Sequence, residues 1–377
     1  MLYLLIITAF SISVFLSGLI IPRILVVAFR KRLFDVPDSR KIHQGPIPRL
    51  GGLSFVPTIL FSLTFVIGLR YLLKVPIDAA QVSIVVPEFC FLVCGLTLLY
   101  LSGIKDDLVG LRYRTKFLIQ LLAAVFFPLS GLWINNLYGL FGLYDLPAWA
   151  GIPFTLFVVV FITNAINLID GIDGLASGLS SVALAVLGSL FLYEGLWLYA
   201  TLAFSTLGVL LPFFYYNVFG EAERCKKIFM GDTGSLTLGY ILSFLAVRYS
   251  AYTPAFAPLS EGALVIAFST LLVPIFDVIR VILVRFRTHR GLFSPDRNHI
   301  HHKFLAMGFT ARQAMLSILG LACLFSCTNI ILISSLDNTL LLLVDIAVWT
   351  GLNIWFDTLR DRRRLRDKTP DIVNRLS

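Results

Sequence analysis

Apolar stretches of ~17–25 residues recur along the whole chain, and no other feature limits its fold so strongly. Inside a bilayer the backbone must satisfy its own hydrogen bonds, which such stretches do as helices. Charged residues make up only 14% of the 377 residues, against about 25% in a soluble protein. The pattern predicts an all-α, polytopic integral membrane protein with about eleven transmembrane helices. The expected spans are Leu2–Phe29, Gly51–Leu69, Val85–Ile104, Phe117–Ile134, Gly151–Ile169, Leu175–Leu192, Leu196–Tyr216, Thr233–Tyr249, Ala263–Val284, Ala314–Ile333 and Thr339–Trp355. Residues 1–356 read as one transmembrane domain and 357–377 as a basic tail, because no polar stretch is long enough to bury a core of its own. The first span lacks a basic start and is too long for a cleaved signal peptide. Cys90, Cys94, Cys323 and Cys327 lie in apolar runs. They read as small core hydrophobes, not disulfides or metal ligands.

Charge sets the orientation. Most of the 31 Lys and Arg fall in the loops after the first, third, fifth, seventh and ninth spans and in the C-terminal tail. Arg70, Lys74 and Arg248 are assigned to the opposite loops. The basic side is cytoplasmic by the positive-inside rule, which puts the N-terminus outside and the C-terminus inside. The net charge of +9 is thus first a topology signal. No basic domain with interleaved aromatics points to nucleic acid.

The polar motifs all lie on that side. Asn164–Gly178 reads NAINLIDGIDGLASG and begins inside an apolar run. It delivers Asn164, Asn167, Asp170 and Asp173 at intervals of three. Steps of three advance about 300° on a helix, so the first three share one arc. Carboxylates at a membrane edge are costly and usually functional, although Asn and Asp are also ordinary cap residues. In GIKDDLVGLRYRTK, adjacent Asp106 and Asp107 precede Arg112, Arg114 and Lys116. Neighbouring carboxylates repel unless a cation or proton holds them. A hard divalent metal is the natural counter-ion, and Mg²⁺ usually arrives with phosphate. The loop FDVPDSRKIHQGPIPRLGG carries Asp35, Asp38, Arg40, His43 and Arg49 on a shaped turn. In FMGDTGS, Asp232 opens an apolar helix, equally an N-cap or an anion site. The last polar loop holds four of the five histidines, His289, His299, His301 and His302, beside Arg287, Arg290, Arg297 and Lys303. His-x-His-His could ligate zinc, but the surrounding cations favour anion and sugar recognition.

Together KDDLVGLRYRTK, NAINLIDGIDGLASG, FMGDTGSL and SPDRNHIHH resemble the polyprenyl-phosphate N-acetylhexosamine-1-phosphate transferases. The resemblance runs from about Phe34 to Phe304 with the motifs in family order. It is greatest to the branch that starts O-antigen, common-antigen and teichoic-acid synthesis. It implies transfer of an N-acetylhexosamine 1-phosphate, most often of GlcNAc, from a UDP-N-acetylhexosamine to undecaprenyl phosphate, releasing UMP. It also implies a bacterial inner (cytoplasmic) membrane enzyme among membrane lipids, with its site on the cytoplasmic face and Mg²⁺ or Mn²⁺ as cofactor. The oligomeric state stays open, a homodimer included. By motif match, Asn167 and Asp232 are the implied metal ligands and Lys116 the diphosphate contact. Phe229, Asp173 and Gly52 are implied for uridine, and Arg297, His299, His301 and His302 for the sugar and phosphate. Asp106, Asp107 and Asp170 are implied in catalysis. Asp35, His43, Asn164 and Asn217 are further candidates.

An ion-coupled transporter would also show intramembrane carboxylates, such as Asp277 or Asp345. It should show paired repeats and midplane sites, whereas the acidic motifs here cluster at one edge. Asp277 and Arg280 read as a buried pair on one helix.

Overall fold

The computed structural model describes residues 1–33, 47–76, 79–256, 262–289, 291 and 298–376, with side chains described as far as 363 except at 79 and 80. Helices dominate: α1 (Leu2–Lys31), α2 (Phe55–Leu72), α3 (Ala79–Val109), α4 (Tyr113–Leu129), α5 (Ala148–Ile169), α6 (Leu175–Tyr193), α7 (Trp197–Phe214), α8 (Gly231–Ser250), α9 (Ala263–Ser269), α10 (Leu272–Arg287), α11 (Ile300–Ala306), α12 (Ala311–Leu332) and α13 (Asn338–Leu376). Among the described residues, eight helices are long and apolar enough to cross a membrane. The number is nine if α9 and α10, bent by 78° at their junction, form one broken span. The protein is an all-α polytopic membrane protein.

Each expected span falls on a helix, but not each helix is a simple span. Residues 263–284 form the bent α9–α10 pair. α4 has only 17 residues. α8 differs in kind: from Thr233 to Ser250 every residue is buried, so protein rather than lipid surrounds it. That is why it tolerates Ser235, Thr237, Ser243 and Arg248 along its length. It packs on α3, α5, α6 and α9. Contact near its start is close enough to require glycine. A Cβ on Gly52 would lie 2.1 Å from the Gly234 amide nitrogen, and one on Gly103 would lie 2.4 Å from the Thr233 Cα.

The far end of α8 is tied by charge. Arg248 Nη1 lies 3.0 Å from Glu88 Oε1, and the Tyr199 hydroxyl donates to Glu88 Oε2 at 2.7 Å. Arg248 also donates to the Ala251 carbonyl at 2.8 Å and Thr253 Oγ1 at 2.7 Å. Arg248 was expected in an outer loop and is instead 2% exposed. Arg70 is likewise buried, its guanidinium 3.8 Å above the Trp197 ring. Stranding one partner of a buried pair costs about 3–5 kcal/mol, so Glu88 and Arg248 act as a joint between α3 and α8.

Two further departures are local. Between α4 and α5 the chain forms an antiparallel hairpin, β1 (Asn136–Leu140) with β2 (Leu143–Asp145). It docks on the start of α13, where Phe141 N donates to Thr339 Oγ1 at 2.8 Å and Asn338 Nδ2 donates to the Tyr138 carbonyl at 2.6 Å. All five cysteines are free, as expected for Cys90, Cys94, Cys323 and Cys327, but exposed. Those in α3 and α12 face outward from the bundle and are not core residues. In a bilayer such positions meet lipid, where a weakly polar thiol costs little.

α13 runs unbroken through residue 356 to Leu376. α12 starts with a reciprocal cap: Gln313 N donates to Thr310 Oγ1 at 3.3 Å, and Thr310 N donates to Gln313 Oε1 at 2.9 Å.

Candidate active site

Helix ends bring the polar motifs to one end of the bundle. α3 and α5 finish there, and α4, α6 and α8 begin there. Asp106 and Asp107 leave the last turn of α3, Lys116 sits in the first turn of α4, Asn167 in the last turn of α5, and Asp232 in the first turn of α8.

These five side chains interlock. Lys116 Nζ lies 2.7 Å from Asp232 Oδ2 and also contacts Asp106 Oδ2. Asn167 Nδ2 donates to Asp232 Oδ1 at 2.6 Å and to Ser235 Oγ at 2.8 Å. Asp106 Oδ1 accepts from Leu111 N at 2.6 Å. Asp107 is spent differently. It accepts from Asp232 N at 2.7 Å, Thr233 N at 2.9 Å and Thr233 Oγ1 at 2.5 Å. It thus caps the exposed amides of α8 from another helix, and its negative charge meets the positive helix end.

Asp170 is the first residue past α5, outside the helical arc of Asn164 and Asn167, and is exposed. Although its side chain reaches water, the many protein atoms around the carboxyl weaken its solvation and push it up to about 7, with Asp232, Asp173 and Asp107 adding repulsion and Arg49 opposing. Asp173 is held by Lys227 Nζ at 2.6 Å. Asn164 lies one turn deeper and hydrogen-bonds Gln120. Asn217 is structural in its contacts: its Oδ1 accepts from Gly174 N at 2.7 Å and its Nδ2 donates to the Ile228 carbonyl at 2.9 Å. It pins the Asp173 loop to the strap that precedes α8.

That strap pairs with the Gly51–Gly52 turn. Gly51 N donates to the Phe229 carbonyl and Gly52 N to the Met230 carbonyl, both at 2.9 Å, while Phe229 N donates to the Pro48 carbonyl at 2.9 Å. Gly52 and Phe229 are therefore neighbours by backbone pairing.

The histidines approach from α11 and its cap. His299 Nδ1 sits 2.8 Å from Asp277 Oδ2, and Ile300 N donates to Asp277 Oδ1 at 2.9 Å. Arg280 donates to the same Oδ1 at 2.8 Å, so the expected Asp277–Arg280 pair also anchors the histidine segment. His301 is 2% exposed, and a Cβ on Gly171 would fall 2.2 Å from its Nε2. The ring thus closes directly on the loop between Asp170 and Asp173. Burial pushes its pKa down to about 3, with His302 and His299 adding, so the ring is neutral. His302 packs beside it with its ring tilted by 44°, ring centroids 4.2 Å apart. Asp35, His43 and Arg297 lie outside the described residues.

Sequence reasoning missed Gln120, Lys227 and Ser235. Gln120 was legible as the residue one helical turn after Lys116, and Lys227 as the cation two before Phe229. Ser235 carried no signal beyond its place in a capping run.

The donor chemistry fits a hard divalent cation. Asp106 and Asp232 bring carboxylate oxygens around one position of positive charge, which the Lys116 ammonium takes here, while Asn167 gives its amide N–H to Asp232 beside it. Among the described residues, no three His, Cys, Asp or Glu are grouped to hold an ion by themselves. Mg²⁺ needs no such cage, since it binds through one or two carboxylates with substrate phosphates completing its shell.

Comparison with known proteins agrees with this geometry. The model of glycosyl transferase family 4 matches residues 89–250, which run from α3 through α8. A probable undecaprenyl-phosphate N-acetylglucosaminyl 1-phosphate transferase of Bacillus subtilis is 33% identical over 93% of this chain and 88% of its own length. Undecaprenyl-phosphate alpha-N-acetylglucosaminyl 1-phosphate transferases of Salmonella typhi and Escherichia coli K12 are 32% and 31% identical, over 78% and 81% of this chain and 74% and 78% of theirs. With identity of this extent and the matched segment carrying Asp106, Lys116, Asn167 and Asp232, the chain belongs to glycosyl transferase family 4.

Proposed function

We propose that this chain transfers N-acetylglucosamine 1-phosphate from UDP-GlcNAc to undecaprenyl phosphate, releasing UMP. The observation that carries it is the meeting of Asp106, Lys116, Asn167 and Asp232 from four helices at one end of a membrane bundle. The names of the relatives supply the substrates. A lipid acceptor is confined to the bilayer, so its reaction with a water-soluble nucleotide sugar needs such a site at the membrane edge. By the positive-inside rule that edge is cytoplasmic, and in a bacterium the membrane is the inner one.

The step is a phosphoryl substitution. A lipid phosphate oxygen forms a bond to the β-phosphorus of UDP-GlcNAc, and the bond from that phosphorus to the bridging oxygen breaks, with UMP as leaving group. Such reactions need alignment and charge neutralisation more than covalent help from protein. Asp232 and Asn167 would hold Mg²⁺ or Mn²⁺, which when bound neutralises diphosphate charge. Lys116 turns from its two carboxylates to the diphosphate. Asp107 keeps the start of α8, and with it Asp232, in place through its three hydrogen bonds. Asp106 faces the incoming lipid phosphate. Direct attack is favoured over an acyl-phosphate because a phosphate monoester, with a second pKa of about 6, is already an anionic nucleophile. Phe229 stacks on uracil and Asp173 reads the base, while Arg297 and the histidines face the sugar phosphate. The product would begin a cell-envelope polysaccharide of the O-antigen, common-antigen or teichoic-acid type.

The test is purified protein with undecaprenyl phosphate, Mg²⁺ and a panel of UDP-sugars, following UMP. Release with UDP-GlcNAc exceeding that with other UDP-N-acetylhexosamines is expected. Preference for another sugar would correct the donor, and release without lipid would remove the acceptor.

A further inference from the structure

α11 is a short helix with two occupied faces. His301 and Lys303 are two residues apart, so they point about 200° away from each other. His301 meets Gly171 of the Asp170 loop. Lys303 faces the other way and is 5% exposed. Its ammonium donates to Asn353 Oδ1 and Asp357 Oδ2 of α13, both at 3.0 Å. Asp357 is in turn bridged by Arg360 at 3.1 Å.

A buried ammonium is an expensive way to glue two helices. Desolvation costs several kcal/mol per ion, and an apolar residue of similar size often serves stability as well or better. Apolar packing is already present in the Phe304–Phe356 pair, ring centroids 4.9 Å apart. What the polar contacts add is orientation. Asp277 fixes the start of α11 through Ile300 N and His299. Lys303 on Asn353 and Asp357 adds a directional polar contact further along the helix, and Arg363 grips the Met307 carbonyl beyond it.

We infer that Lys303, Asn353 and Asp357 are positioning residues: through them the 353–357 turn of α13 holds α11 in the rotation that seats His301 against the Asp170–Asp173 loop. Lys303 points away from the carboxylate cluster and touches no reacting atom, so it is not a catalytic residue. The inference rests on the proposed transfer reaction for its kinetic readout. A misplacement of about 1 Å in an active site costs on the order of 100-fold in rate, so a loss of about 10- to 100-fold in kcat is expected when the clamp is removed.

The experiment compares full-length wild type, Lys303→Met, Asp357→Ala and the double variant, by UMP release and by thermal unfolding. Lys303→Met deletes a buried charge and should melt at or above wild type, yet lose about 10- to 100-fold in kcat. Asp357→Ala strands the ammonium and should melt lower. The double variant should regain the wild-type melting temperature and lose no more activity than Lys303→Met alone, because the two residues act as one unit. Wild-type turnover in Lys303→Met, an activity loss that follows a fallen melting temperature, or multiplying losses in the double variant would each overturn the inference. Hydrogen exchange over residues 170–178 reads the same placement without turnover. It should quicken in Lys303→Met, and unchanged exchange overturns the inference even if wild type proves to transfer a different group.

Discussion

Lys116→Met separates the two jobs assigned to that lysine. In the ligand-free site its ammonium satisfies Asp232 and Asp106 together. Each charge-assisted hydrogen bond is worth about 1.5–3 kcal/mol net when buried. Lys116 and Asp232 are 29% and 30% exposed, so solvent screening argues for about 2 kcal/mol for the pair of contacts rather than their sum. A divalent cation must displace this ammonium before it can bind Asp232. Deleting it should therefore tighten Mg²⁺ binding by about 30-fold. Turnover should move the opposite way. With substrate bound, the lysine neutralises diphosphate charge as it develops, and loss of one such donor costs about 10²–10³ in kcat. Calorimetric Mg²⁺ titration and UMP release on the same preparation supply both numbers. Tighter metal binding with collapsed turnover is the expected pair. Unchanged Mg²⁺ affinity, or more than a tenth of wild-type turnover, would refute the reasoning.

Three other outcomes follow from the site. Phe229→Ala should raise the KM for UDP-GlcNAc by about 5- to 150-fold, as lost base stacking costs about 1–3 kcal/mol, while leaving the lipid KM alone; movement of only the lipid KM would show Phe229 misassigned. Asp170 titrates near 7 in the folded chain, above the ordinary carboxylate value. Its protonated form thus favours the metal-free fold, that contribution is lost as pH rises through about 7, and Mg²⁺ affinity at neighbouring Asp232 should strengthen from pH 6 to pH 8; titrations that give one affinity across this range would refute a raised Asp170 carboxyl coupled to that cluster. Reporters fused after Arg49, Lys116, Lys226 and Lys303 and at the C-terminus should all score cytoplasmic, and an external score at any of the first four would break the single-site arrangement.

Much of this was legible in the sequence, for identifiable reasons. Helix positions followed from apolar run length, and the motifs came from residues that apolar helices cannot carry idly. Asp107 shows where legibility stops. Its neighbour Asp106 shares its sequence context, yet one faces Lys116 and the other caps α8, a difference set by the tertiary approach of α3 to α8. Apolar runs likewise do not reveal whether protein or lipid surrounds them. The protein-enclosed surroundings of α8 were not legible for this reason, and the outward cysteines of α3 and α12 were misjudged as core. The hairpin escaped because it is short and bends at Tyr138, Gly139, Phe141 and Gly142, all at positive φ, with no Asn-Gly turn signal. Asn217, named as a further candidate, spends its side chain on two backbone groups, which a sequence does not display.

The central claim is that the bond to phosphorus, not the bond to the sugar, is broken. UDP-GlcNAc labelled with ³²P in the β-phosphate decides it, with purified protein, Mg²⁺ and undecaprenyl phosphate. Label should enter the lipid phase in step with UMP appearing in water. Label remaining in water as UDP or free phosphate, while sugar or nothing reaches the lipid, would contradict it.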